Sequence, residues 1–206
     1  MLILLPPSEG KADRGTGRPL NLAGLSLPEL TDARATVLDA LVDFCVRDEH
    51  GALAGLGLSA GQVDDVRRNG ALRTIKTLPA ARLYTGVLYD ALDLGSLSSA
   101  QYTWLKRSVV IFSGLWGAVR LGDRIPPYRC PMGARLPGLP GSGGLAAFWK
   151  PVLDGPLTRL PAAGSCSTCA RRPTRRRGHR AGRWRGARWP SASCMNGSCT
   201  GSRSAA

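Results

Sequence analysis

The sequence predicts an α/β fold, or a mixed α+β one, built as a single compact domain with an incomplete sheet. Three observations predict it. Leu2–Leu5 and Val109–Phe112 are short, continuous apolar runs of the kind that form strands buried on both faces. The stretch between them carries apolar residues at spacings of three and four, the period of helices with one buried face. No internal repeat is visible, so the alternation of strand and helix describes layers packed on one core.

In chain order, the first run is closed by Pro6-Pro7 and delivers Ser8-Glu9-Gly10-Lys11 to a loop. A polar, glycine-rich stretch follows to about Ser26. From Pro28 the residues Leu30, Ala33, Val37, Leu38, Leu41, Phe44 and Cys45 fall on one face of a helix that should end before Gly51. Ser59 and Gln62 have the spacing of a capping box and precede Val63, Val66 and Leu72, which predicts a second helix of about three turns. Tyr84-Thr-Gly-Val-Leu-Tyr89 leads into a short apolar segment, and Ser98 to Lys106 reads as a capped helix with Ala100, Trp104 and Leu105 inward. Val109–Phe112 is the central strand. From Ser113 to Gly133, glycines, prolines and charges are too interleaved for a regular element. Pro137 to Gly144 is a surface loop, and Leu145 to Leu153 an amphipathic helix with Phe148 and Trp149.

Composition divides the chain at residues 1–163 and 164–206. The final 43 residues hold ten Arg and four Cys but no Leu, Ile, Val, Phe, Asp, Glu or Lys. Such a segment cannot offset the entropy of ordering, so it is expected to be a disordered, arginine-rich tail. GC-rich codons read out of register would give this composition; an evolved basic arm that binds nucleic acid is the alternative. The net charge of +14 is therefore inflated, and the first 163 residues carry only +4. Cys166, Cys169, His179, Cys194 and Cys199 do not have the spacing of a standard zinc finger.

The body has neither a signal-peptide pattern nor an apolar run long enough to span a bilayer, and only Cys45 and Cys130 lie in it. A protein of the reducing cytoplasm, off the membrane, is expected. Cys45, Cys130 and His50 lack ligand spacing, so no metal is expected. Nor does any motif imply a cofactor. Ser113 precedes Gly114 after a strand, yet there is no Gly-x-Ser-x-Gly elbow and the body's only histidine is His50, in a helix-end segment, so a serine-hydrolase triad is not supported.

Two regions could take an anion. The turn Gly55-Leu-Gly-Leu-Ser59 has the Gly-aliphatic-Gly form of a helix-hairpin-helix, in which Gly55 and Gly57 let backbone N–H groups face a phosphate and Ser59 opens the next helix. An ordinary helix–helix turn has the same form. Lys11, flanked by Ser8 and Glu9, follows a buried strand, where side chains are presented to a cleft. Arg120, Asp123, Arg124, Tyr128 and Arg129 crowd the stretch after the second strand, and the carboxyl end of such a strand is where crevices form. Arg124 and Arg129 suit bidentate contact with phosphate or carboxylate, with Asp123 orienting one of them. Asp123 could equally brace the loop through a buried pair. Tyr84 and Tyr89 would stack on a base, or pack inward with their hydroxyls satisfied.

Pro-Pro-Ser-Glu-Gly-Lys11, Tyr84-Thr-Gly-Val-Leu-Tyr89, and Ser113-Gly-Leu-Trp-Gly continuing through Asp123-Arg-Ile-Pro-Pro-Tyr-Arg129 to Met132-Gly133 resemble the peroxide-stress protein YaaA family in content and order. The resemblance spans roughly residues 1–156. Trp116 stands where Tyr or Phe is usual, Cys130-Pro131 replaces a Leu and a polar residue, and the later family motifs do not occur. The resemblance implies a compact α/β fold with a positively charged cleft, DNA binding partly through a helix-hairpin-helix, and a role in limiting iron-driven oxidative damage. It implies a role and no reaction. The expectation is a non-enzymatic protein that binds double-stranded DNA through Gly55, Gly57, Ser59, Lys11, Arg120, Arg124 and Arg129. The alternatives are an enzyme or sensor for a small phosphorylated or nucleotide ligand, and a non-functional frame-altered product.

Overall fold

The computed structural model describes residues 2–140 and 144–160 and the backbone of 166–168. Its elements run β1 (Leu2–Leu5), α1 (Thr31–Arg47), α2 (Glu49–Leu56), α3 (Val63–Gly70), β2 (Leu78–Pro79), α4 (Ala80–Leu83), α5 (Val87–Ala91), α6 (Ser99–Ser108), β3 (Val109–Ser113), β4 (Gly117–Val119), β5 (Arg124–Ile125), α7 (Gly144–Thr158) and β6 (Cys166–Thr168). β6 falls inside the segment 164–206 expected to be a disordered tail, because pairing with the edge of β1 supplies the order that its composition does not. The rest of that segment and its cysteine and histidine side chains lie outside the described residues.

The main sheet has the order β4-β3-β1-β6. β1 is parallel to β3, with Ile3, Leu4 and Leu5 opposite Val109, Val110 and Ile111, and parallel to β6 on its other edge. β4 returns antiparallel to β3. The two continuous apolar runs are thus the two interior strands, and Leu4, Leu5, Val109, Val110 and Ile111 are buried. Parallel neighbours need a long crossover, which here holds α1 to α6. One continuous apolar cluster joins these elements, so the described residues form one mixed α/β domain.

The sheet's parallel register sends the carboxyl ends of β1 and β3 to the same edge, where Pro6–Lys11 and Ser113–Leu115 leave the strands. β4 and β5 lie inside the stretch expected to be irregular. Three- and two-residue strands are too short to show a period, and pairing with β3 and β2 supplies what their own sequence does not. Gly117 makes the turn between β3 and β4 feasible, because its φ of 69° is left-handed and an added Cβ would lie 2.7 Å from the Trp149 ring. Trp149, brought by α7, donates its Nε1–H to the Gly114 carbonyl at 2.7 Å.

α1 buries Val37, Leu38, Leu41 and Cys45 as the spacing predicts, but it also buries Arg34 completely. It stops at Arg47 because Asp48 leaves helical geometry, and the Asp48 carboxylate then caps α2 by accepting from the Gly51 N–H at 2.8 Å. α2 therefore runs through Gly51. The Ser59–Gln62 capping box is present, opening a short 3-10 turn ahead of α3. α6 carries the expected Ser98 cap, yet Ala100 is exposed, Trp104 is 49% exposed and only Leu105 turns partly inward. No helix among the described residues is long and apolar enough to cross a membrane.

Candidate functional site

Where β1 ends, a two-way clasp holds the loop. Lys11 forms an isolated β-bridge with Tyr84, the Ala12 N–H donates to Leu83 and the Thr85 N–H to Gly10. The Ser8 hydroxyl donates to the Thr85 carbonyl. Tyr89 donates its hydroxyl to the Pro6 carbonyl at 2.6 Å, and its ring stacks on Tyr84 with centroids 5.3 Å apart. Tyr84, Tyr89 and Tyr128 are buried, with their hydroxyls satisfied.

Below the loop runs a chain of hydroxyls. Tyr84 and Tyr128 share a hydrogen bond of 2.8 Å, Tyr128 and Ser113 one of 2.7 Å, and the Trp116 N–H donates to the Ser113 hydroxyl at 3.0 Å. Burial pushes the Tyr84 phenol up to about 12 and those of Tyr89 and Tyr128 well above their ordinary value, so all three are neutral. Burial likewise pushes the Cys130 and Cys45 thiols up, which leaves both unionised.

Lys11 lies across this aromatic floor. Its ammonium nitrogen is 4.8 Å from the Tyr128 ring centroid and 5.6 Å from that of Tyr84, and it donates to the Ser8 carbonyl at 2.6 Å. Burial, and secondly the charge of Arg129, lower its pKa from 10.5 to about 8. Arg129 donates to the Glu9 carbonyl and pairs with Asp65 at 3.3 Å. Asn69, fully buried on α3, fixes its backbone by donating to the Arg129 carbonyl at 2.6 Å and accepting its N–H at 3.0 Å. Asp65 also pairs with Arg68 at 2.7 Å. Ser8, Glu9, Lys11, Tyr84, Tyr128 and Arg129 therefore converge at one place, at the carboxyl ends of β1 and β3.

The remaining predicted residues lie elsewhere. Arg120 donates to the Arg107 carbonyl at the end of α6, and exposed Arg124 to the Thr77 carbonyl at 3.2 Å. Asp123 is buried as a loop brace: its carboxylate accepts from the Ser26 N–H and hydroxyl and from the Arg120 N–H at 2.7 to 3.0 Å. Gly55 belongs to α2 rather than to the turn, while Gly57 has a φ of 66° and ends that helix. The N–H groups of Gly57 and Leu58 are bonded to α2 carbonyls and that of Ser59 to Gln62. Among the described residues no three His, Cys, Asp or Glu stand together as a metal set.

The sequence profile described as peroxide stress protein YaaA matches residues 1–166. The chain belongs to the peroxide stress protein YaaA family. Similar proteins include a UPF0246 protein of Streptomyces coelicolor, 56% identical over 150 residues, which are 73% of this chain and 56% of the relative. One of Corynebacterium efficiens is 45% identical over 142 residues, covering 69% and 55%. Another, of Bordetella avium, is 33% identical over 153 residues, covering 72% and 57%. The chain thus spans about half the length of these YaaA relatives.

Every residue of the Lys11 cluster lies within the YaaA match. Asp65 and Asn69 escaped the sequence reading because, in a helix with Asp64, Arg67 and Arg68, they look like members of a solvated face. Only the burial of Asn69 marks the difference. Tyr128→Phe is expected to remove about 1 kcal/mol of stability, since it deletes the middle hydroxyl and leaves Tyr84 and Ser113 short of a partner. Urea unfolding of the full chain should show a lower midpoint at unchanged slope.

Proposed function

We propose that this chain acts in the peroxide-stress response as a binder of small phosphorylated ligands, with one anionic group seated between Lys11 and Arg129. The observation that carries the reading is Lys11 held over the neutral rings of Tyr84 and Tyr128, with the charge of Arg129 close enough to lower its pKa, at the edge where the parallel strands end. The charge of Arg129 lowers the Lys11 pKa while Glu9 and Asp65 raise it, and a bound anion would act in the same direction as those carboxylates. Arg129 supplies fork-like donors and Lys11 a point charge.

Inorganic phosphate and ribose 5-phosphate should both raise the melting temperature of the full chain. Lys11→Gln should weaken binding about tenfold or more, as expected for a charge-assisted contact. Asp65→Asn, which frees Arg129, should tighten it. Equal stabilisation of the parent and the Lys11→Gln protein would overturn the reading.

Duplex DNA is the second reading, favoured by a separate basic track. Arg18, Lys76 and Arg124 are all exposed and are tied together by the Pro19–Lys76 bridge, the Thr77 hydroxyl on the Arg18 carbonyl at 2.7 Å and Arg124 on the Thr77 carbonyl. The hairpin is a weaker phosphate site than its glycines suggest, because three of its N–H groups are spent and Asp64 and Asp65 occupy the start of α3. In the same experiments, binding to a duplex that falls steeply from ~50 to 200 mM salt and is lost with Arg124→Ala, but not with Lys11→Gln, would favour DNA over the small ligand.

A further inference from the structure

We propose that Lys11 is the nucleophile of this site, and that its neutral amine condenses with the carbonyl group of a small aldehyde or ketone whose phosphate or carboxylate is held by Arg129. The inference rests on the anion site described above and names the class of ligand it takes. Lysines usually rest in water or against a carboxylate, and Lys11 does neither: it is half-buried, and among the described residues it has no ion pair. Among the described residues its hydrogen bond goes to a backbone carbonyl, and the rings of Tyr84 and Tyr128 lie against it. The charge of Arg129, whose guanidinium pairs with Asp65, acts on Lys11. A lysine desolvated beside another cation is the arrangement that activates an amine for attack on carbonyl carbon.

The lowered pKa agrees with that geometry, since about a fifth of an amine titrating near 8 is neutral at pH 7.4, against about one in a thousand for an exposed lysine. In the reaction the amine lone pair forms a C–N bond while the carbonyl oxygen takes up a proton. Loss of that oxygen as water, with the second amine proton, then gives the imine. One carbonyl and one amine yield one imine and one water, and nothing is oxidised or reduced. Lys76, Lys106 and Lys150, the other lysines of the chain, are all exposed and serve as internal controls.

The test treats the full chain with pyridoxal 5′-phosphate, an aldehyde carrying a phosphate, or with formaldehyde, which carries no charge. Borohydride then fixes any imine, and peptide mass mapping locates it. At pH 7.4 Lys11 should be labelled by the phosphorylated aldehyde at least about tenfold faster than the other three lysines, with a rate that levels off above pH ~8. Inorganic phosphate should protect it. Arg129→Gln should reduce the preference for charged over uncharged aldehyde about tenfold. Equal labelling of all four lysines overturns the proposal. Should inorganic phosphate raise the melting temperature while neither aldehyde labels Lys11 faster than the other three lysines, the anion site stands and the nucleophile falls. Selective labelling of Lys11 that neither phosphate nor Arg129→Gln alters would uphold the reactive amine and overturn the anion site.

Discussion

Arg34→Ala is expected to lower the unfolding free energy by about 3–5 kcal/mol, measured by urea denaturation of the full chain. The Arg34 side chain is completely buried and donates to four carbonyls: Trp116 at 3.1 Å, Leu27 at 3.3 Å, Ser26 at 2.8 Å and Ala118 at 2.6 Å. Burial lowers its pKa to about 10, and the charge of Asp123 opposes that fall. Removing the guanidinium leaves those carbonyls without their donor and opens a cavity between α1 and β4. It also frees the turn at Leu27, a non-glycine residue held at a φ of 61° with its carbonyl tied to Arg34. Arg34→Met separates the two contributions. It restores most of the volume but none of the donors, so most of the loss should remain. A Met protein within about 1 kcal/mol of the parent would assign the effect to packing instead.

Arg34 also shows where sequence reading stops. Strands β1 and β3 were legible because a strand enclosed by neighbours needs apolar residues at every position, and four or five in a row suffice to show it. The capping boxes at Ser59 and Ser98 were legible because their chemistry is local, reaching three residues along the chain. Arg34 satisfies carbonyls as far as 84 residues away, and nothing in its own neighbourhood distinguishes it from an arginine on the outer face of a helix. The outward turn of Trp104 has the same origin, since the face a helix buries is chosen by what it meets.

At the site, the two ends of the cluster were legible and its middle was not. Lys11 and Arg129 could be singled out because each follows a strand or a proline-rich turn. Proximity in sequence also drew in Arg120, Arg124 and Asp123, although these diverge once the chain turns through β5. A cluster of charges along ten residues has no reason to stay together when the backbone carrying it is irregular. Convergence came instead from α3, which delivers Asp65 and Asn69 to Arg129 from 60 or more residues away.

Replacing Lys11 by methionine is expected to stabilise the protein at pH 7, by about 1–2 kcal/mol, while abolishing anion binding. A fully enclosed ammonium whose pKa falls from 10.5 to about 8 would cost about 3 kcal/mol of folding energy. Half-exposure and the ring contacts of Tyr84 and Tyr128 reduce that figure. The sign follows from proton counting. Between pH 8 and 10.5 the unfolded chain holds a proton on Lys11 that the folded chain has released, so the lysine's penalty is full below about 8 and fades as the pH climbs to 10.5. The buried tyrosines and cysteines lower stability over part of the same range, but they do so in both proteins and largely cancel in the difference. Unfolding curves of the two proteins should therefore be about 1–2 kcal/mol apart at pH 7 and converge toward pH 10.5. A gap that is constant with pH would mean that Lys11 pays no desolvation cost, and the folded environment would then not be holding a strained, reactive amine.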